Sequence, residues 1–228
     1  MALPKLKICG LKQPKQAGAI AALGVDAVGV IAVPGSPRFV EPQQRQAIYA
    51  AAHAANPSCL GVLVVADPAD ADLATLAPGQ GHQVVQLHGS ETPERCRQLR
   101  QQLGELQLWK ALRIRTAQDL DRVTAYADSV DALLLDAWVD GQLGGTGKRL
   151  PLAWLRAFNP ALPWWLAGGI DAGSAGAALE QLRPAGLDAS SAVEHSPGDK
   201  DLRRVEALLA VVRPARQDQG QRPQPAAP

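Results

Sequence analysis

The sequence predicts a single-domain (β/α)8 TIM barrel, an α/β fold, and three observations carry that prediction. Short apolar, β-rich runs recur eight times along the chain. Stretches rich in Ala, Leu, Gln and Arg, with the character of amphipathic helices, separate them. At 228 residues and 46% hydrophobic side chains, the chain can bury a sizeable core and sits where an α/β barrel still counts as one domain.

The eight runs fall at 6–9, 27–33, 60–65, 84–88, 108–112, 132–136, 164–167 and 186–189. Helices are expected at 14–23, 41–55, 93–103 and 171–182. Strands that alternate with helices imply a parallel sheet, because parallel neighbours need a crossover connection and right-handed crossovers dominate. Eight such units in one chain of this length fit a closed barrel better than an open doubly wound sheet. The barrel is expected to occupy 1–212. The segment 213–228 is rich in Pro, Gln and Arg, has almost no large apolar residue to pack, and reads as a disordered tail.

Composition excludes several function classes. Lys and Arg number 23 against 22 for Asp and Glu, so no overall field draws nucleic acid or an acidic membrane, and any anion site must be local. The three cysteines, Cys9, Cys59 and Cys96, are odd in number and form no CxxC pair. Neither a disulfide framework nor a zinc site is suggested, and a reducing cytoplasm fits best. No run has signal-peptide or membrane-span length, so the expectation is a soluble, unexported protein. The three aspartates of ADPADADLATLAP at 66–78 lack the ligand spacing and closing Glu of a calcium loop, and read as a solvated face leading into a short helix.

A barrel of this kind places its active site at the C-terminal ends of its strands. Polar residues cluster there: Cys9-Gly10 after the first run, Ser36-Pro37-Arg38 after the second, His88-Gly89 at the end of the fourth, Asp136 at the end of the sixth, and Asp188 with Ser190-Ser191 at the eighth. Gly168-Gly169 follows the seventh run, and with Ser190 and Ser191 it forms a candidate phosphate cradle, since glycine allows close backbone approach and barrel phosphate sites favour the loops after strands seven and eight. The GGTGK stretch at 144–148 lacks P-loop spacing. It reads either as a surface loop or as a lid, with Gly145 giving freedom and Lys148 charge.

Taken jointly, KICG at 7–10, SPRFV at 36–40, VQLHG at 85–89, LLLDA at 133–137, GGTGK at 144–148, AGGI at 167–170 and GLDASSAVEHSPGDKD at 186–201 resemble the phosphoribosylanthranilate isomerase family of tryptophan biosynthesis. The resemblance implies an Amadori rearrangement of N-(5-phosphoribosyl)anthranilate to 1-(2-carboxyphenylamino)-1-deoxyribulose 5-phosphate, with no cofactor and no metal. It implies Asp136 as the general acid that protonates the ribose ring oxygen and Cys9 as the general base that removes the C2′ proton. A carboxyl that donates at neutral pH has to be held partly protonated by burial or by negative charge. A thiol that accepts a proton has to ionise, which positive charge from Lys7, Arg38 or the substrate imine would favour. Without the resemblance, Cys9 reads as a small core residue.

The same resemblance implies that Arg38 holds the anthranilate carboxylate, a task suited to a guanidinium fork, and that Asp188 positions the substrate. His88 either orients its neighbours or caps the barrel rim. Cys59 and Cys96 are read without a role. The stretch IAVPG at 31–35 departs from the aromatic-bearing pattern of the family, which touches the wall of the anthranilate pocket and neither acid nor base.

Rival barrels fit less well. A ProFAR isomerase pairs two aspartates where this chain has Cys9, a ribulose-phosphate epimerase needs a metal-binding His and Asp set, and an indole-glycerol-phosphate synthase needs partners that Lys110 lacks. A non-catalytic barrel that binds a phosphorylated metabolite would keep the cradle and lose the acid-base pair. The expected partner is a small phosphorylated substrate, with no nucleic acid and no membrane, and the chain works as a monomer or homodimer.

Overall fold

In the computed structural model, residues 4–139 and 147–220 are described, with 214–220 as backbone only. Eight parallel strands close into one barrel in chain order: β1 (Lys5–Cys9), β2 (Ala27–Ile31), β3 (Leu60–Val65), β4 (Val84–Leu87), β5 (Gln107–Ile114), β6 (Ala132–Ala137), β7 (Trp164–Leu166) and β8 (Gly186–Ala189). Pairing of β1 with both β2 and β8 completes the circle.

Around the barrel run α1 (Pro14–Ala22), α2 (Pro42–Ala55), α3 (Leu73–Leu76), α4 (Pro93–Leu103), α5 (Leu152–Leu155), α6 (Ala172–Gln181) and α7 (Leu202–Gly220), with a long 3-10 segment, Ala117–Tyr126, between β5 and β6. Proline opens α1, α2 and α4, where its fixed φ suits a helix and its missing N–H is not needed. Thr92 caps α4 and Asp171 caps α6 by accepting from the backbone of the first turn. The hairpin of β9 (Glu194–Ser196) and β10 (Asp199–Lys200) follows β8 and folds back over the rim.

Two apolar layers result. Leu6, Ile8, Val28, Leu63, Leu133, Leu135 and Leu187 face the helices in the larger one. Cys9, Ala27, Val62, Val64, Trp109, Leu134 and Trp165 fill the barrel interior. Trp109 and Trp165 stack with ring centroids 4.8 Å apart and plug it, and Gly186 leaves the room that Trp165 occupies. Above this plug the inward positions turn polar, and the cavity begins.

Strands β3 and β8 match the sequence expectation, while β2 and β4 stop short of it and β5 runs further at both ends. The last helix continues to Gly220, past the Val212 at which the sequence reading closes the barrel; 221–228 lie outside the described residues. No helix among the described residues is long and apolar enough to cross a membrane.

Candidate active site

A cavity of about 570 Å³ opens at the C-terminal ends of the strands, a volume that suits a small organic ligand. Cys9, Arg38, His88, Asp136, Gly168, Gly169, Asp188, Ser190 and Ser191 all line it. Of the sequence-predicted site residues that the structure describes, only Lys148 falls elsewhere. Lys148 borders a neighbouring hollow beside β5 and β6, and Gly145 lies outside the described residues.

On the β1 and β8 side the wall is dense with charge. Cys9 ends β1, is 5% exposed, and is a free thiol. Lys7 precedes it by two residues, so both side chains enter the barrel, and the Lys7 ammonium is fully buried. It meets Asp188 Oδ1 at 2.8 Å, because Lys7 and Asp188 are register partners across the β1–β8 seam. Burial pushes the Cys9 thiol above its usual range, Lys7 pulls it back, Asp188 adds to the rise and Lys200 opposes it. Burial alone would lower the Lys7 pKa, but the negative charge of Asp188 and of the ionised thiol outweighs it and leaves it raised.

Arg38 does not point its fork into open space. Its Nε donates to Glu194 Oε1 at 2.9 Å and its Nη2 donates to Oε2 at 2.7 Å. Lys200 binds the same carboxylate, and the backbone N–H of Gly198 donates to it at 3.1 Å. Two cations on one anion leave a local excess of positive charge where a carboxylate ligand would be drawn. Burial tends to raise the Glu194 pKa, yet Arg38, Lys200 and Gly198 together hold it below the usual carboxylate range.

The β4 and β6 side is built differently. Asp136 is buried, and its Oδ1 accepts from the N–H of Ala137 at 2.8 Å. Its Oδ2 lies 3.7 Å from His88 Nε2, beyond hydrogen-bond reach. The side-chain amide of Gln86 and Nδ1 of His88 lie 3.1 Å apart, within hydrogen-bond reach. Gln86 Oε1 and His88 Nε2 are buried without partners.

The glycine turn after β7 is shaped by close approach. Gly168 has φ 89° and a Cβ there would lie 2.6 Å from the Lys148 carbonyl and 3.0 Å from Asp136 Oδ1; Gly169, at φ 61°, backs onto Gly147 and Arg149. Ser190 Oγ donates to the Cys9 carbonyl at 3.0 Å, tying the end of β8 to the end of β1. Among the described residues no group of three or more His, Cys, Asp or Glu side chains could hold a metal ion.

A family model described as N-(5'phosphoribosyl)anthranilate (PRA) isomerase matches residues 6–211. The chain belongs to that family. It is an isomerase of tryptophan biosynthesis, and the rearrangement expected from its motifs is its activity. Relatives named N-(5'-phosphoribosyl)anthranilate isomerase include one from Nostoc punctiforme, 46% identical with 90% of this chain and 96% of that one covered. Another, from Synechococcus elongatus, is 47% identical over 90% of this chain and 94% of its own. The phosphoribosyl anthranilate isomerase of Thermotoga maritima superposes with a TM-score of 0.82 at 25% identity, covering 93% of this chain and all of that one. A further structure of the family, solved with reduced 1-(o-carboxyphenylamino)-1-deoxyribulose 5-phosphate, superposes with a TM-score of 0.77 at 25% identity over 93% of this chain and 100% of its own.

The sequence reading missed three members of this PRA isomerase site, Glu194, Lys200 and Gln86. Gln86 carried a usable signal, since it stands two residues before His88 on one strand and so shares its face. Glu194 and Lys200 flank a Ser-Pro-Gly turn, the signature of a hairpin that brings both side chains together.

Proposed function

We propose that Cys9 and Asp136 carry the Amadori rearrangement as base and acid. Asp136 gives a proton to the ribose ring oxygen, the C1′–O bond breaks, and a Schiff base forms with the anthranilate nitrogen. The Cys9 thiolate then removes the C2′ proton, now acidified by the imine, and the enolamine tautomerises to the ketone. The substrate gains one proton from Asp136 and gives one to Cys9, so its composition is unchanged, and exchange with solvent returns Asp136 to the acid and Cys9 to the thiolate before the next turnover.

The single observation that carries this reading is that Cys9, from β1, and Asp136, from β6, line one cavity. His88, whose Nε2 lies 3.7 Å from Asp136, orients it. Arg38 and Lys200, held by Glu194, draw the anthranilate carboxylate, and the Gly168-Gly169 turn with Ser190 and Ser191 receives the phosphate. The small phosphorylated substrate and the three free, buried cysteines fit work in a reducing cytoplasm.

Loss of substrate fluorescence on mixing with freshly made phosphoribosylanthranilate tests the assignment. Cys9→Ala and Asp136→Asn should each lower kcat by about 10²- to 10⁴-fold with folding intact. Near-normal turnover in either variant would remove that residue from the mechanism.

A further inference from the structure

The reaction needs a thiolate, and the thiol sits where burial opposes one. Lys7 is the feature of this wall to which the rearrangement itself assigns no step. A fully buried ammonium is costly unless anions surround it, so its placement needs a reason. Asp188 supplies one anion at 2.8 Å. The geometry around Gly29, register partner of Cys9 on β2, indicates the other. A Cβ at Gly29 would lie 2.8 Å from Cys9 Sγ and 3.2 Å from Lys7 Cε, so the sulfur and the end of the lysine stem border the same slot.

Other charges face the thiol from every side. Lys200 approaches from β10 and Asp188 from β8, while Tyr49 lies behind on α2. His88 and Asp136, from the β4 and β6 side, line the same cavity. Lys7 exerts the largest attractive effect on the ionised sulfur, ahead of Lys200.

We propose that Lys7 is the positioning residue of the general base: its buried ammonium, anchored by Asp188, is the counter-ion against which the Cys9 thiolate forms. The proposal rests on the reading of Cys9 as base. It gives Asp188 a task besides substrate contact. While Cys9 is a thiol, Lys7 and Asp188 form a neutral pair; once Cys9 ionises, two anions share one ammonium. Lys7 therefore favours the thiolate and Asp188 opposes it, and the two residues must move the thiol's ionisation in opposite directions.

Carbamidomethylation of Cys9 by iodoacetamide, followed by mass spectrometry across a pH series, reads that ionisation without turnover. In Lys7→Gln the midpoint should rise by about 1 to 3 pH units, the usual effect of an adjacent opposite charge. Alkylation at neutral pH should then slow about tenfold or more, and the acid limb of kcat/KM should move with it. Lys7→Arg should restore most of the shift, and Asp188→Asn should move the midpoint down. Lys7→Arg and Asp188→Asn keep the test alive if Lys7→Gln does not fold. An unshifted midpoint in Lys7→Gln, no rescue by Lys7→Arg, or an upward or absent shift in Asp188→Asn overturns the proposal. Failure of the base assignment looks different: Cys9→Ala would keep turning over, whatever the alkylation profile shows.

Discussion

The two walls of the cavity differ in how they treat charge. On the β1 and β8 side, Lys7, Asp188, Arg38, Glu194 and Lys200 are joined in close ion pairs. On the β4 and β6 side, the one ion-pair contact that Asp136 makes among the described residues is with His88, at 3.7 Å, and two buried polar atoms go unpartnered. The contrast suits the proposed roles, because an acid and a base need opposite surroundings. A thiol needs cations to ionise, whereas a carboxyl that must donate a proton is spoiled by a cation beside it. Buried polar groups without a partner cost stability.

A cation placed on the acid side attacks this contrast most strongly. His88→Lys should hold Asp136 ionised and lower kcat by about 100-fold or more, whereas His88→Asn, which only removes an orienting group, should cost about three- to tenfold. Equal losses in the two variants would show that charge at this wall is irrelevant.

Next in size is the charged wall's contribution to stability. Glu194→Gln leaves Arg38 and Lys200 buried without their anion, and should lower unfolding stability by about 3 kcal/mol or more in denaturant titration. The sign with pH follows from the depressed Glu194 pKa. Its contribution is present above the ordinary glutamate value of 4.5 and is lost as pH falls through the lower folded value. Parent and variant stabilities should therefore converge in acid, and parallel curves would contradict the pairing.

The smallest change is a methyl. Gly29→Ala places a Cβ 2.8 Å from Cys9 Sγ, and should cost about 1 to 3 kcal/mol of stability while displacing the thiol. A variant as stable and active as the parent would show that the slot is looser than it stands.

The barrel was legible because its inward and outward strand residues are both apolar, which marks buried parallel strands in any sequence. Strand ends were less so. Val33 and His88 continue apolar runs in sequence but lie beyond β2 and β4, where the chain turns to meet the cavity. The cavity-lining positions Cys9, Asp136, Gly168, Gly169, Ser190 and Ser191 were legible because each lies at or just beyond the C-terminal end of a strand. The salt-bridge wall was not. Glu194 and Lys200 look like ordinary surface charges until the hairpin folds over the rim, and the pairing of Lys7 with Asp188 depends on the closure of the barrel across residues far apart in sequence.

The central claim is that Cys9 takes the C2′ proton, and substrate carrying deuterium at C2′ tests it most directly. Conversion by the parent should show a primary isotope effect where proton abstraction limits the rate. In Cys9→Ala the ring should still open, with the deuterium retained at C2′ and product formation lost. Release of the C2′ deuterium by Cys9→Ala at the parent's rate would contradict the account.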